Sequence, residues 1–383
     1  MDKPTVQDIF HRFYPAYLDQ YSPSPVQAKV AHNIMNCKTG AYGANVCVCE
    51  DCGFVQIHYN SFRNRCCPMC QAVPKEMWMD ARREDVLDAP YFHLVFTVPD
   101  ILNPVIYSNQ RLLYDALYHA ASSTISELTA DPKHLGAKVG YICILHTWGS
   151  EMNFHPHIHT ILLGGGLASN NQWKDNGENF FLPIRVISKM FRGKYLEELK
   201  RLWKEDKLVF HGTAEKFRNH YTFKELLDSC YGMDWIPHCK KTFNGAQTVI
   251  KYLGKYTHRI AVSNHRIVRM DDDTVTFLVK DYRNEGQWKE LTISGVEFVR
   301  RFLMHVPPRR FVRIRHYGLL CSRTKSQKLT LCRNLLGCKK YLSKLRDMEM
   351  PEILEHLYGI KVCVCKACGG HLGKPQMRMP LRC

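Results

Sequence analysis

Apolar residues recur along this chain with two different periods. Val6 to Tyr17 follows the helical spacing, and a second helix is expected to begin near Ser24-Pro25. Between Cys37 and Cys70 the chain is rich in Gly and Cys, so short strands organised around a metal are expected there. Pro74 to Leu87 reads as a helix that leads into the next domain. Tyr91 to Val98 (YFHLVFTV) combines β-branched and aromatic residues in a strand ended by Pro99. Helical spacing returns from Asn109 to Leu128, with Leu112, Leu113, Leu117 and Ile125 apolar. Two strands follow, Tyr141 to Thr147 and His155 to Leu163. The turn-prone Gly149-Ser150-Glu151 joins them, and Gly164-Gly165-Gly166 closes the second. Helices are expected at Met190–Trp203, Phe223–Leu227 and Thr248–Tyr256, and a hairpin-like strand pair at Val275–Lys280 and Trp288–Ile293. The pattern predicts an α+β protein in three parts: residues 1–86 with a zinc-binding module, a core at 87–296, and a basic C-terminal region at 297–383.

Charge narrows the class of partner. The 383 residues carry a net charge of +17, and such self-repulsion is usually kept for a polyanion. From Phe298 to Arg346 no Asp or Glu occurs, while Arg309, Arg310, Arg313 and Arg315 accumulate among Phe302, Phe311 and Tyr317. Basic residues interleaved with aromatics read as folded, DNA-binding surface. No stretch approaches the roughly 18 apolar residues of a membrane span, and the N-terminus lacks an apolar signal core. A cytoplasmic protein, nucleoid-associated when bound to DNA, is expected, with no membrane partner.

In that compartment 17 cysteines point to metal rather than disulfides. Cys49-x-x-Cys52 and Cys67-x-x-Cys70, separated by 14 residues, match the spacing of a structural four-cysteine zinc site. Cys37, Cys47, Cys66 and His58 compete for roles in it. At the C-terminus Cys365-x-x-Cys368, near Cys363, His371 and Cys383, offers the start of a second zinc site.

Two further strings carry chemistry. In His155-Pro156-His157-Ile158-His159, strand alternation puts His157 and His159 on one face, where two imidazoles can chelate a divalent cation. His146 on the preceding strand is the preferred third ligand, with His155 and Glu151 as substitutes. In Lys251-Tyr252-Leu253-Gly254-Lys255-Tyr256-Thr257-His258-Arg259, helical spacing stacks Tyr252 over Tyr256, with Lys255 and Arg259 on an adjoining face for phosphates. A phenol with a free pKa of about 10 needs a metal or base to become a nucleophile. Imidazole and phosphate ligands together favour Mn²⁺ or Mg²⁺ over zinc at the histidine site.

Taken together, the His-hydrophobe-His strand and the YxxxY array resemble the HUH endonuclease superfamily. More closely they resemble the rolling-circle insertion-sequence transposases with two tyrosines, the insertion sequence ninety-one family. YFHLVFTVP at 91–99, NFHPHIHTIL at 153–162, YLGKYTHRIAVSN at 252–264 and EFVRRFLMHVPPRRFVRIRHYG at 297–318 extend the resemblance, as does the cysteine module. It implies an HUH-nuclease core of antiparallel sheet and helices, with His157 and His159 on the metal and Tyr252 and Tyr256 as nucleophiles. The implied activity is nicking and rejoining of single-stranded transposon ends and target DNA through 5′-phosphotyrosine links. No nucleotide cofactor is expected, since GxxxxGK[ST] does not occur. A replication initiator or relaxase with the same site is one alternative; a non-catalytic, zinc-dependent DNA-binding regulator is the other.

Overall fold

The computed structural model describes residues 3–175, 182–235, 237–242, 249, 254, 261–281, 284–374 and 376–378. The chain opens with helices α1 (Val6–Gln20) and α2 (Pro25–Met35), then strands β1 (Ala44–Val48) and β2 (Val55–Tyr59) and helix α3 (Ala72–Arg83). Thr5 and Ser24 begin the two N-terminal helices with reciprocal capping boxes to Asp8 and Gln27, each worth about 1 kcal/mol. Next come β3 (Tyr91–Thr97), α4 (Asn103–Ser108), α5 (Gln110–Ala130), β4 (Lys138–Trp148), β5 (Phe154–Leu167), β6 (Trp173–Asp175), α6 (Ile184–Lys204), α7 (His220–Gly232) and β7 (His238–Thr242). The remainder is β8 (Ile267–Met270), β9 (Thr274–Asp281), β10 (Gln287–Ser294), α8 (Gly295–Met304), β11 (Ile314–Gly318), α9 (Lys325–Leu336), α10 (Met350–Tyr358) and β12 (Gln376–Arg378).

An antiparallel sheet of order β11-β4-β5-β3-β7, with β6 on the end of β5, forms the centre. Both of its faces are covered, which explains why β4 and β5 read as near-continuous apolar runs. One face (Phe92, Leu94, Phe96, Cys143, Leu145, Ile158, Leu162) packs against α5, α6 and α7. The other (Ile142, Ile144, Ile161, Leu163) packs under Leu319, Leu320, Leu329 and Cys332 and carries the histidines at its end. The triple glycine lets neighbours approach closely: a Cβ at Gly166 would collide with the Lys138 backbone, and one at Gly165 with the Trp173 ring.

Two hydrophobic clusters cross the expected divisions at 86/87 and 296/297. Val6, Phe10 and Phe13 of α1 share a core with Val275, Phe277, Phe298 and Phe302, and Phe10 meets Phe302 edge to face at 5.2 Å. The reason is size: two short helices cannot enclose a core, so the amphipathic α1 and α8 and the β8-β9-β10 sheet close one jointly. The segment from Ile314 likewise does not stand apart, because β11 pairs with β4 from Ile314↔Ile144 to Gly318↔Gly140. Among the described residues no helix is long and apolar enough to cross a membrane.

Candidate active site and metal centres

β4 and β5 bring His146 opposite His157 across the antiparallel ladder, and His159 lies two residues farther on the same face of β5. One ring nitrogen from each of the three lies within 4.8 Å of the others. All three are buried, at 3%, 9% and 9% exposure. Burial pushes the His157 pKa down to about 4. His159 falls well below 6.5, first through burial and then through the neighbouring His146, His157 and His93. His157 and His159 are therefore neutral at pH 7, the protonation state that ligates metal.

A hydrogen bond to a carbonyl fixes the direction of the His157 lone pair. His157 Nδ1–H donates to the His155 carbonyl at 2.7 Å, leaving Nε2 as the acceptor nitrogen. That Nε2 lies 3.1 Å from Nε2 of His159. Metal–nitrogen bonds of about 2.1 Å to one ion at a right-angle-like opening produce this separation, so the donor set fits a divalent cation. Nδ1 of His159 hydrogen-bonds Nε2 of the buried His93 on β3 at 2.9 Å. Sequence reasoning missed His93; its signal was a histidine in mid-strand within an otherwise apolar run. His146 stacks on Trp148 at 4.6 Å, and the Arg313 guanidinium lies over the same tryptophan, 5.3 Å from the ring centroid.

The other expected residues divide. His155 turns to Asp100, with Nδ1 and Oδ1 3.1 Å apart, and lies outside the three-histidine group. Arg309 and Arg310 are exposed, as a phosphate-binding surface requires. Arg313 and Arg315 are committed to the protein, which departs from the expectation of an open arginine surface. Arg315 pairs with Asp115 and covers the Tyr118 ring at 3.9 Å. The cause is β11 itself: once Ile314–Gly318 joins the sheet, its side chains are half-buried. The expected helix Thr248–Tyr256, and with it Tyr252, Tyr256, Lys255 and Arg259, lies outside the described residues except for Val249 and Gly254. Val249 is buried in the cluster of Ile142, Ile144, Ile161 and Leu163, on the histidine face of the sheet.

The cysteines group differently from the expected Cys49, Cys52, Cys67 and Cys70 site. Cys67 and Cys70 meet Cys37 at the end of α2, and Cys49 and Cys52 meet Cys365 and Cys368. β1 and β2 form a hairpin that carries the 49–52 knuckle to its tip, away from the 67–70 knuckle seated against α1 and α2. Cys37 Sγ lies 3.1 Å from Cys70 Sγ, and hydrogen bonding from the Cys67 thiol holds the Cys70 pKa down to about 5. Arg65, between the knuckles, donates to the Phe311 carbonyl at 2.7 Å and ties this module to the basic segment.

Residues 140–328, which include the histidine strands, match the family model described as "Putative transposase", and residues 9–98 match "Transposase zinc-binding domain". The "Putative transposase y4qJ" of Sinorhizobium fredii is 40% identical over 369 residues, covering 95% of this chain and 93% of that protein. The "Transposase for insertion sequence element IS801" of Pseudomonas savastanoi pv. phaseolicola is 30% identical over 309 residues, covering 79% and 72%. The chain belongs to the IS91-type insertion-sequence transposases and has their N-terminal zinc-binding domain. Among solved structures, the conjugative relaxase TrwC in complex with oriT DNA matches at 15% identity over 45% of this chain and 68% of that one, with a TM-score of 0.23. Its copper-bound form matches at 12% identity over 67% and 96%, with a TM-score of 0.27.

Proposed function

We propose that this transposase cuts and rejoins single-stranded DNA at a divalent ion, Mn²⁺ or Mg²⁺, held by His146, His157 and His159, with Tyr252 and Tyr256 as nucleophiles. The observation that carries the reading is the convergence of three buried imidazoles on one point at the end of β4 and β5. The bound ion would polarise the scissile phosphate and stabilise the charge that develops on it. A tyrosine phenol gives up its proton as its oxygen bonds to phosphorus, the bond from phosphorus to the 3′-oxygen breaks, and that oxygen takes up a proton to leave as a 3′-hydroxyl, so one proton is released and one consumed. The phosphodiester energy is kept in the 5′-phosphotyrosine link, so rejoining needs no nucleotide hydrolysis. A second tyrosine permits a second strand to be attacked before the first link is resolved. Val249, packed on the histidine face three residues before Tyr252, supports the pairing of the two motifs.

Arg309 and Arg310, exposed and without an acidic residue nearby in sequence, are assigned to the DNA backbone; Lys255 and Arg259 are assigned to phosphates beside the tyrosines. The deciding experiment incubates the protein with a labelled single-stranded terminal oligonucleotide. Nicking that needs a divalent ion and leaves the protein attached to the 5′ side is expected. Nicking that persists in EDTA, or an adduct that maps to neither tyrosine, overturns the assignment.

A further inference from the structure

We propose that Cys49, Cys52, Cys365 and Cys368 form one tetrahedral Zn²⁺ site that clasps the C-terminal segment to the N-terminal zinc-binding domain. The family match to that domain ends at residue 98, so half of this ligand set lies far outside it. Cys49 Sγ is 3.5 Å from Cys368 Sγ, across 319 positions of sequence, and Cys52 Sγ is 3.8 Å from Cys365 Sγ, across 313. Four thiolates bound to zinc at about 2.3 Å in a tetrahedron lie about 3.8 Å apart. Disulfides hold their sulfurs at about 2.05 Å, so the pairs are spaced for a shared metal.

The two half-sites are built alike. Each is a Cys-x-x-Cys-Gly turn, and Gly53 and Gly369 take the left-handed conformation at φ 70° and 78°. In both, the glycine N–H donates to the carbonyl of the first cysteine at 3.0 Å: Gly53 to Cys49 and Gly369 to Cys365. In both, the first cysteine's N–H donates to the carbonyl five residues on, Cys49 to Phe54 at 2.9 Å and Cys365 to Gly370 at 2.8 Å. Backbone N–H groups of Ala367 and Gly370 point at the sulfurs of Cys365 and Cys368, each at 3.4 Å. Such turns present both sulfurs to one side and suit thiolates. Cys67-Pro68-Met69-Cys70 is followed by Gln71, not glycine, and so falls outside the pair.

Among the described residues, this region is otherwise joined mainly by backbone hydrogen bonds, such as Glu50 N–H to the His371 carbonyl at 3.1 Å and Gly373 N–H to the Val48 carbonyl at 2.9 Å, over a small apolar core. β12 adds to β1 with Ala44↔Arg378, Asn45↔Met377 and Val46↔Gln376, giving a three-stranded sheet β12-β1-β2. Its own hydrophobic cluster consists of Cys47, Cys49, Cys365 and Leu372, while Val55, Ile57 and Tyr59 are about half exposed at 51%, 49% and 51%. A sheet with so small a core needs a staple, and a structural metal supplies one.

The test uses the full-length protein. Replacing Cys365→Ser with Cys368→Ser is expected to lower bound zinc, measured by mass spectrometry of the metal, by one equivalent per chain. Cys49→Ser with Cys52→Ser should remove the same equivalent, and all four substitutions together should remove no more than one. Should Cys67→Ser with Cys70→Ser instead release the equivalent lost in Cys49→Ser/Cys52→Ser, while Cys365→Ser/Cys368→Ser loses none, the clasp does not exist. Because a variant can fail to fold, the wild-type protein is also alkylated and its cysteines mapped. The exposed Cys52 and Cys368 are expected to resist until a chelator is added and then to react together with Cys49 and Cys365, while the exposed Cys321 reacts at once. Reaction of Cys368 at the rate of Cys321 before chelation overturns the proposal.

Discussion

Single residues at the histidine site do separable jobs. His157→Ala or His159→Ala is expected to abolish nicking while leaving single-strand binding within about twofold, as measured by oligonucleotide titration, because most of the affinity for single strands is expected to come from backbone cations such as the proposed Arg309 and Arg310. Loss of folding in both variants would mean instead that the rings are packing. His93 lies outside the three-histidine group, yet its Nε2 engages Nδ1 of His159 at 2.9 Å and so orients that ring. Removing such a supporting partner typically weakens metal binding about 10- to 100-fold. His93→Phe should do so in a Mn²⁺ titration, with nicking recovered at raised Mn²⁺; unchanged affinity would reduce the His93 contact to packing.

His305 is a titrating residue apart from this group. It accepts from the Thr147 hydroxyl at 3.1 Å through Nδ1 and donates to the Met152 carbonyl at 2.9 Å through Nε2. Burial pushes its pKa down to about 4. The unfolded chain takes up a proton at this histidine near pH 6.5, whereas the folded one resists until about pH 4. Its contribution is thus present above pH 6.5 and is lost as pH falls from there towards 4, by up to about 3 kcal/mol. Urea unfolding of His305→Gln, compared with wild type at pH 7.5 and 4.5, should show a shallower loss in the variant. Parallel losses would contradict the assignment.

Among the helices and strands, the sequence was most legible where period and burial agree. The alternation in β5 placed His157 and His159 on one face because a strand's side-chain period is two, and the structure keeps that parity. The helices around Val6, Asn109 and Met190 appear with ends shifted by a few residues, and the Val275–Lys280 hairpin pairs as Trp288↔Lys280 through Ile293↔Val275. β7, β11 and β12 were not anticipated. Each is short and polar enough to read as loop, and each is a strand because a neighbour supplies the ladder partner. Gly166 marks the same dependence on neighbours. Since its Cβ would meet backbone rather than a movable side chain, Gly166→Ala should lower stability by about 2 kcal/mol or more in chemical denaturation. A neutral effect would show that β4 and β5 can separate locally.

For the whole molecule, net charge and topology govern behaviour. A chain of +17 should bind single-stranded DNA with a steep salt dependence, and removal of each phosphate-binding cation should flatten the log–log slope by about 0.7. Arg309→Ala with Arg310→Ala is expected to reduce the slope by about 1.4 with unchanged stability. Arg315→Ala should instead destabilise the fold, since its guanidinium lies on Tyr118 and pairs with Asp115. Equal slopes for the double variant and wild type would remove those two arginines from the DNA path.

Local spacing along the chain was enough to settle the parity of the histidine strand, the CxxC turns, the helix periods and the sign of the charge. These are properties of a few consecutive residues, and the backbone's own geometry fixes them. Folding in three dimensions had to choose which knuckle pairs with which, that α1 and α8 share a core, that Arg313 lies over Trp148 and that His93 backs His159. Each of those contacts joins residues far apart in sequence, and closing a long loop costs little more than closing a shorter one, so spacing along the chain holds no record of the choice. The competition for buried area and for metal ligands makes it.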